Sequence, residues 1–164
     1  MIGLRAYLDN NATTQLAPEA LAAMMPYLTN LYLNASSVAG EMMQVDRPVV
    51  NAKRQLAKLL GDGLRCDGFL LTSGASEANS WAVHAATLQR KPGHIVASSI
   101  EHPSLLAALK LLGNSGWAVD LVNPMSNGRV DPGVFSEYLR PDTTFVSMML
   151  AHNETGVIQP VADI

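Results

Sequence analysis

The sequence predicts an α/β fold, a mostly parallel sheet with helices on both faces. From residue 68 onward, short apolar runs alternate with helix-like segments of about 10–15 residues, the rhythm of βαβ units. These runs are apolar at nearly every position, as strands are when helices cover both sides of their sheet. Composition adds a third sign: the 164 residues are 48% hydrophobic and only 15% charged, against about 25% charged in ordinary soluble domains. Such a chain has a large core, or it hides apolar surface against a second copy or another part of its protein. The length fits one domain or a piece of a larger one.

The elements follow in order. PEALAAMMPYL (18–28) opens with proline at a helix-start position and carries Leu and Met at helical spacing. LYLNASSVAGEM (31–42) reads as a loop. RPVVNAKRQLAKLLG (47–61) reads as an amphipathic helix, apolar at Val50, Leu56, Leu59 and Leu60, polar at Lys53 and Lys58, and stopped by Gly61. GFLLT (68–72) is then a strand and SEANSWAVHAATLQR (76–90) a helix. HIVASS (94–99) is a strand, PSLLAALKLLGNSG (103–116) a helix and WAVDLV (117–122) a strand. NGRVDPGVFSEYL (127–139) is a turn and a short helix capped by Asp131, with Pro132 at its first position. TTFVSMMLA (143–151) closes the series as a strand.

Bulk properties exclude several classes. A net charge of −3 gives no footing for nucleic acid or an anionic membrane. The single cysteine, Cys66, excludes an internal disulfide and reads as an ordinary thiol. No apolar run approaches the ~18 residues of a membrane-spanning helix, and MIGLRAYLDN lacks a signal-peptide layout. A cytoplasmic protein is the expectation.

Ligands of parallel sheets bind beyond the carboxyl ends of the strands. Four such ends carry polar clusters: TSGASE (72–77), SSIEH (98–102), NPMSNG (123–128) and AHNETG (151–156). In the first, Gly74 leads into a helix whose opening amides, Ala75 and Ser76, suit an anion such as phosphate. Plain helix capping by Ser73 or Ser76 explains the same residues. In the second, His102 precedes a helix that opens with Pro103. It suits stacking on a flat ligand or proton transfer, or simple capping. In the fourth, Asn153 offers an amide donor to a ring hydroxyl or a carboxylate, or is a turn residue before Gly156. His84 and His94 read as structural. No histidine pair has metal-ligand spacing, so no metal site is expected.

Taken in order, YLDNNATT (7–14), TSGASEAN (72–79), IEHPS (100–104) and AHNETGVIQP (151–160) resemble the N-terminal portion of the cysteine desulfurases. These are pyridoxal-phosphate (PLP) enzymes of the class V aminotransferase group. The resemblance implies an incomplete large domain of a fold-type I PLP enzyme over 16–164. Residues 1–15 would form an N-terminal segment at the small domain or dimer contact. It implies that the Ala75–Ser76 turn binds the PLP phosphate, with Ser76 in place of the family's usual Thr. His102 would stack on the pyridine ring as a candidate acid/base, and Asn153 would contact the ring oxygen and the bound amino acid. In the loop NASS (34–37), Ala35 replaces a family proline and Ala39 stands near a missing histidine.

The resemblance also implies parts absent from these residues: a Schiff-base lysine, an aspartate for the pyridine nitrogen and a nucleophilic cysteine. None of the four lysines, Lys53, Lys58, Lys91 and Lys110, matches the family position, and neither does Cys66. The expectation is a fragment of a homodimeric desulfurase-like enzyme, inactive alone. The intact protein would take cysteine to alanine and pass sulfur, through a persulfide, to an acceptor protein. The alternatives are another class V reaction, selenocysteine lysis or transamination, or a non-catalytic binding module without the lysine.

Overall fold

The computed structural model describes residues 6–61 and 65–164. The chain divides into two compact units, Met1–Leu71 and Thr72–Ile164. Residues 1–5 of the expected N-terminal segment lie outside the described residues. No helix among the described residues is long and apolar enough to cross a membrane.

The first unit is helical. α1 spans Pro18–Thr29, with its proline at the first turn as the sequence predicts, yet it buries no residue and leaves Leu28 63% exposed. The expected loop at 31–42 contains a short helix, α2 (Val38–Met42). Ser37 caps it by accepting the Gly40 N–H at 3.0 Å, while its hydroxyl donates to the Asn34 carbonyl at 2.7 Å. A Cβ on Gly40 would lie 2.0 Å from that same carbonyl oxygen, so only glycine lets the chain fold back this tightly. α3 (Arg47–Leu60) appears where predicted and buries only Ala57.

The strand expected at 68–72 does not form. A 3-10 turn occupies Cys66–Gly68, and the chain through Leu71 is irregular. A strand requires a ladder partner, and no described segment pairs with these residues. Leu70 and Leu71 accordingly stand 62% and 52% exposed.

The second unit carries the βαβ rhythm. Three parallel strands, β1 (His94–Ser98), β2 (Ala118–Val122) and β3 (Thr143–Ser147), lie in the order β2-β1-β3. α4 (Ala75–Thr87), α5 (Pro103–Asn114) and α6 (Pro132–Glu137) connect or precede them. The central strand β1 is buried along its whole length. Its odd positions, Ile95 and Ala97, pack with Val83 of α4, Leu105 and Leu109 of α5, and Trp117. Val96, on the other face, packs with Val122, Val130 and Phe135 of α6. The period-two alternation of a strand thus divides one apolar run between two helix layers. Asp131 caps α6 as expected, accepting from the N–H groups of Gly133 and Val134.

At the N-terminal edge of the sheet, His94 is fully buried between its neighbours. Its Nδ1 lies 2.8 Å from Thr143 Oγ1 and its Nε2 lies 3.0 Å from Asp120 Oδ2. Arg140 also engages Asp120. This bears out the structural reading of His94: one imidazole joins all three strands where a register shift separates His94 from Ile95 against β3.

Phe135 has no exposed surface and anchors the α6 layer. Phe135→Ala should therefore lower stability by about 3–5 kcal/mol through lost burial and a residual cavity. Chemical denaturation followed by far-UV circular dichroism checks this, as a lowered midpoint at unchanged slope.

Candidate functional site

The carboxyl edge of the sheet is held together by Glu101, which is only 8% exposed. Its Oε1 accepts from Ser98 Oγ at the end of β1 and from the Met149 N–H beyond β3, both at 2.6 Å. Its Oε2 accepts from Ser147 Oγ at 3.2 Å. One carboxylate therefore closes the exits of two neighbouring strands. It also explains why β3 ends at Ser147 rather than running to 151: the Met149 amide turns to Glu101 instead of a ladder. Sequence reasoning missed this role, because an acid in a polar strand exit reads as solvated. The available signal was its position three residues after a serine that ends an apolar strand.

His102 follows directly and is the N-cap of α5. Its Nδ1 accepts from the Ser104 N–H at 3.2 Å and lies 2.8 Å from Ser104 Oγ. In a neutral imidazole an accepting Nδ1 leaves the proton on Nε2. The ring is exposed, so that N–H is presented outward. The Asn79 side-chain amide donates to Ser104 Oγ at 2.9 Å, which places the early turns of α4 and α5 side by side.

The start of α4 answers the capping question. Gly74 is the N-cap and, having no side chain, leaves the helix without a side-chain cap. Its φ of 166° is ordinary extended backbone. A Cβ there would meet nothing within 4 Å, so the space beside the turn is open. Ala75 and Ser76 are exposed, and the first described backbone bond of the helix is Ala78 N–H to the Gly74 carbonyl. Neither Ser73 nor Ser76 caps the helix. Ser73 is instead clasped by Glu77, whose Oε2 accepts from the Ser73 hydroxyl and N–H, both at 2.7 Å. These bonds, the hydroxyl's first, hold the Glu77 carboxyl below its ordinary value of 4.5.

Asn153 lies at the same sheet edge, past β3. Ala151 and Ile158 form an antiparallel bridge, and residues 152–156 make the turn between them, closed by Gly156 at φ 71°. His152, which sequence reasoning passed over, caps this turn: its Nδ1 accepts from the N–H groups of Glu154 and Thr155. Asn153 is exposed at the corner, and none of its described bonds reaches the α4 or α5 starts. Its placement with Ser76 and His102 therefore rests on topology: β1 and β3 are parallel neighbours, so their exits share an edge.

The four lysines and Cys66 lie elsewhere in the chain. Lys91 precedes β1, at the opposite edge, and Lys110 lies about 12 Å along α5 from His102, at 1.5 Å per residue. Lys53 and Lys58 belong to α3, and Cys66 to the 3-10 turn of the first unit. Among the described residues no group of three His, Cys, Asp or Glu could hold a metal ion.

This arrangement, a parallel βαβ unit with polar strand exits and an uncapped helix start, belongs to a known family. A family model described as aminotransferase class-V matches residues 6–164, and the chain is a member of that family. The cysteine desulfurase IscS of Anaeromyxobacter sp. (strain K) is 38% identical over 161 residues, covering 96% of this chain and 39% of the relative. A solved NifS-like protein superposes with a TM-score of 0.86 at 33% identity, over 98% of this chain and 44% of its own. The structure of SspA in complex with cysteine gives a TM-score of 0.86 at 29% identity, over 96% and 46%. The resemblance read from the four motifs is thereby borne out. The chain spans about two fifths of the length of the curated relatives it matches. Enzymes of this family depend in general on PLP.

Two outcomes follow from the geometry. Glu101→Ala strands the Ser98 hydroxyl and the Met149 amide, and should cost about 3 kcal/mol, with Glu101→Gln costing less because one acceptor oxygen remains; denaturation midpoints measure both. The Glu77 clasp should hold above pH 4.5 and release as pH falls through the lowered value of the folded carboxyl. The Ser73 amide resonance should therefore titrate with a midpoint below 4.5, and a midpoint at or above it would contradict the clasp.

Proposed function

We propose that this chain supplies the phosphate-anchoring and ring-facing part of the PLP site in a cysteine desulfurase-like enzyme. The observation that carries the reading is the uncapped, exposed start of α4 beside the capped, histidine-led start of α5. The donor set fits the cofactor. The Ala75 and Ser76 amides and the Ser76 hydroxyl suit its phosphate, at a helix end whose dipole favours an anion. His102 offers a flat ring with Nε2–H, and Asn153 offers a carboxamide to a ring oxygen or an amino-acid carboxylate. When bound, PLP supplies an electron sink for bonds at the α-carbon of an amino acid.

For the whole protein the proposed reaction is removal of sulfur from cysteine, leaving alanine. The names of the related desulfurases and the cysteine bound to SspA support that substrate over selenocysteine. A homodimer is proposed as well, because α1 buries nothing and its Leu21, Met24 and Met25 stand nearly half exposed. A sulfur-acceptor protein would complete the reaction. The segment before α1, residues 1–15, is proposed as a contact to another domain or copy.

A second reading, a phosphate-binding module without chemistry, is favoured by the positions of Lys91 and Lys110, neither at the strand-exit edge. One experiment separates the two. The whole protein is titrated with PLP by absorbance and then given cysteine. With a thiol reductant added to reduce the enzyme persulfide, desulfuration releases sulfide and alanine; a binding module binds PLP and releases neither. Ser76→Ala should weaken PLP binding about tenfold, the value of one hydrogen bond to a charged group. Ser76→Asp should weaken it further by setting a carboxylate against the phosphate. Unchanged affinity in both variants would remove the phosphate from this turn.

A further inference from the structure

We propose that Asn79 and Ser104 are positioning residues that set the tautomer of His102. The inference rests on the reading that His102 faces PLP, and it concerns what fixes that ring before any ligand arrives. The bonds form a directed chain. Asn79 Nδ2 can only donate, and it meets Ser104 Oγ at 2.9 Å. That occupies an acceptor site of the hydroxyl, whose own proton is then free to point at His102 Nδ1, 2.8 Å away. The Ser104 N–H reaches the same nitrogen at 3.2 Å. Nδ1 is thus faced by two donors, a backbone amide and an oriented hydroxyl, and it carries no proton of its own. The ring proton lies on Nε2, the nitrogen turned away from the cap and toward open solvent.

The backbone amide alone caps α5, as side chains at this position commonly do. Asn79 and the Ser104 hydroxyl are not needed for that cap. They come from two helices, 25 residues apart in sequence, and they converge on one ring nitrogen. Their effect is to keep an Nε2–H donor available at the strand-exit edge and to deny the ring the opposite tautomer. The same bond couples the start of α4, where the phosphate is proposed to sit, to the imidazole at the start of α5. The two ligand-facing elements are therefore joined at their starts by a side-chain pair, in addition to the packing of Val83 against Leu105 and Leu109.

The test is nitrogen NMR of the whole protein labelled with 15N-histidine, in which protonated and accepting ring nitrogens resonate far apart. In the unaltered protein His102 should be an Nε2–H tautomer. In Ser104→Ala the share of the Nδ1–H form should rise about fivefold, the equivalent of one neutral hydrogen bond. Asn79→Ala should raise it less, since the hydroxyl remains but loses its orientation. Ser104→Thr, which keeps the hydroxyl, should restore the original ratio, an outcome that a purely structural role does not produce. Asn79→Ala leaves the α5 cap intact and decides the matter if Ser104→Ala fails to fold. A tautomer ratio unchanged in Ser104→Ala and Asn79→Ala, or an Nδ1–H ring in the unaltered protein, overturns the proposal. Adding PLP to the same samples tests the underlying reading separately: His102 ring signals that do not move would remove His102 from the cofactor site while leaving the tautomer result standing.

Discussion

The carboxylate of Glu101 holds the edge on which the candidate site is built. It is buried at the exits of β1 and β3 and takes three hydrogen bonds, from Ser98, Ser147 and the Met149 amide. A buried carboxylate without partners is costly, so these donors and the acid stabilise each other only when both strands end where they do. His102 is the next residue along the chain. The direction in which β1 leaves the sheet therefore decides where α5 starts and where its capping imidazole stands. The Asn79–Ser104 bond then passes that placement to α4. An apolar core sets the layers of this unit, and one acid sets its working edge.

The two edges of the sheet are managed differently. At the amino edge, His94 is enclosed, its nitrogens bonded to Thr143 and Asp120, with Arg140 on the same aspartate. These four side chains are paired with one another within the protein. At the carboxyl edge, polar groups point outward: the first amides of α4, the Nε2 of His102 and the amide of Asn153. Ligands of open parallel sheets bind beyond the carboxyl ends of the strands, the edge at which these outward-facing groups lie. The contrast separates two histidines that look alike in the sequence, one opening β1 and one following it.

Glycine and serine share the opening stretch of the site in an unexpected division. Ser73 and Ser76 both suit a capping role, yet the N-cap is Gly74, which cannot cap. Ser73 is turned back to Glu77, which steadies the turn while leaving the first amides of α4 open. A serine at the N-cap would satisfy those amides internally and compete with an anion for them. The arrangement gives up part of a cap's stabilisation and leaves the first amides of α4 open, as the proposed phosphate contact requires.

Much of this protein is determined by its sequence alone. Proline-led starts place α1, α5 and α6, Asp131 marks its own cap, and mostly apolar runs mark β1 and β2, because these signals are local and depend only on neighbouring residues. The four ordered motifs carry the family for the same reason. What only the tertiary structure decided depends on partners distant in sequence. Residues 68–71 are apolar enough for a strand but have no described ladder to join. β3 stops at Ser147 because an acid 48 residues earlier takes the Met149 amide. Glu101 reads as solvated until two strand ends close over it. The proposed tautomer of His102 depends on Asn79, one helix away. Hydrogen bonds are short-ranged and directional, so a sequence shows which residues can make them, and only the fold decides which ones meet.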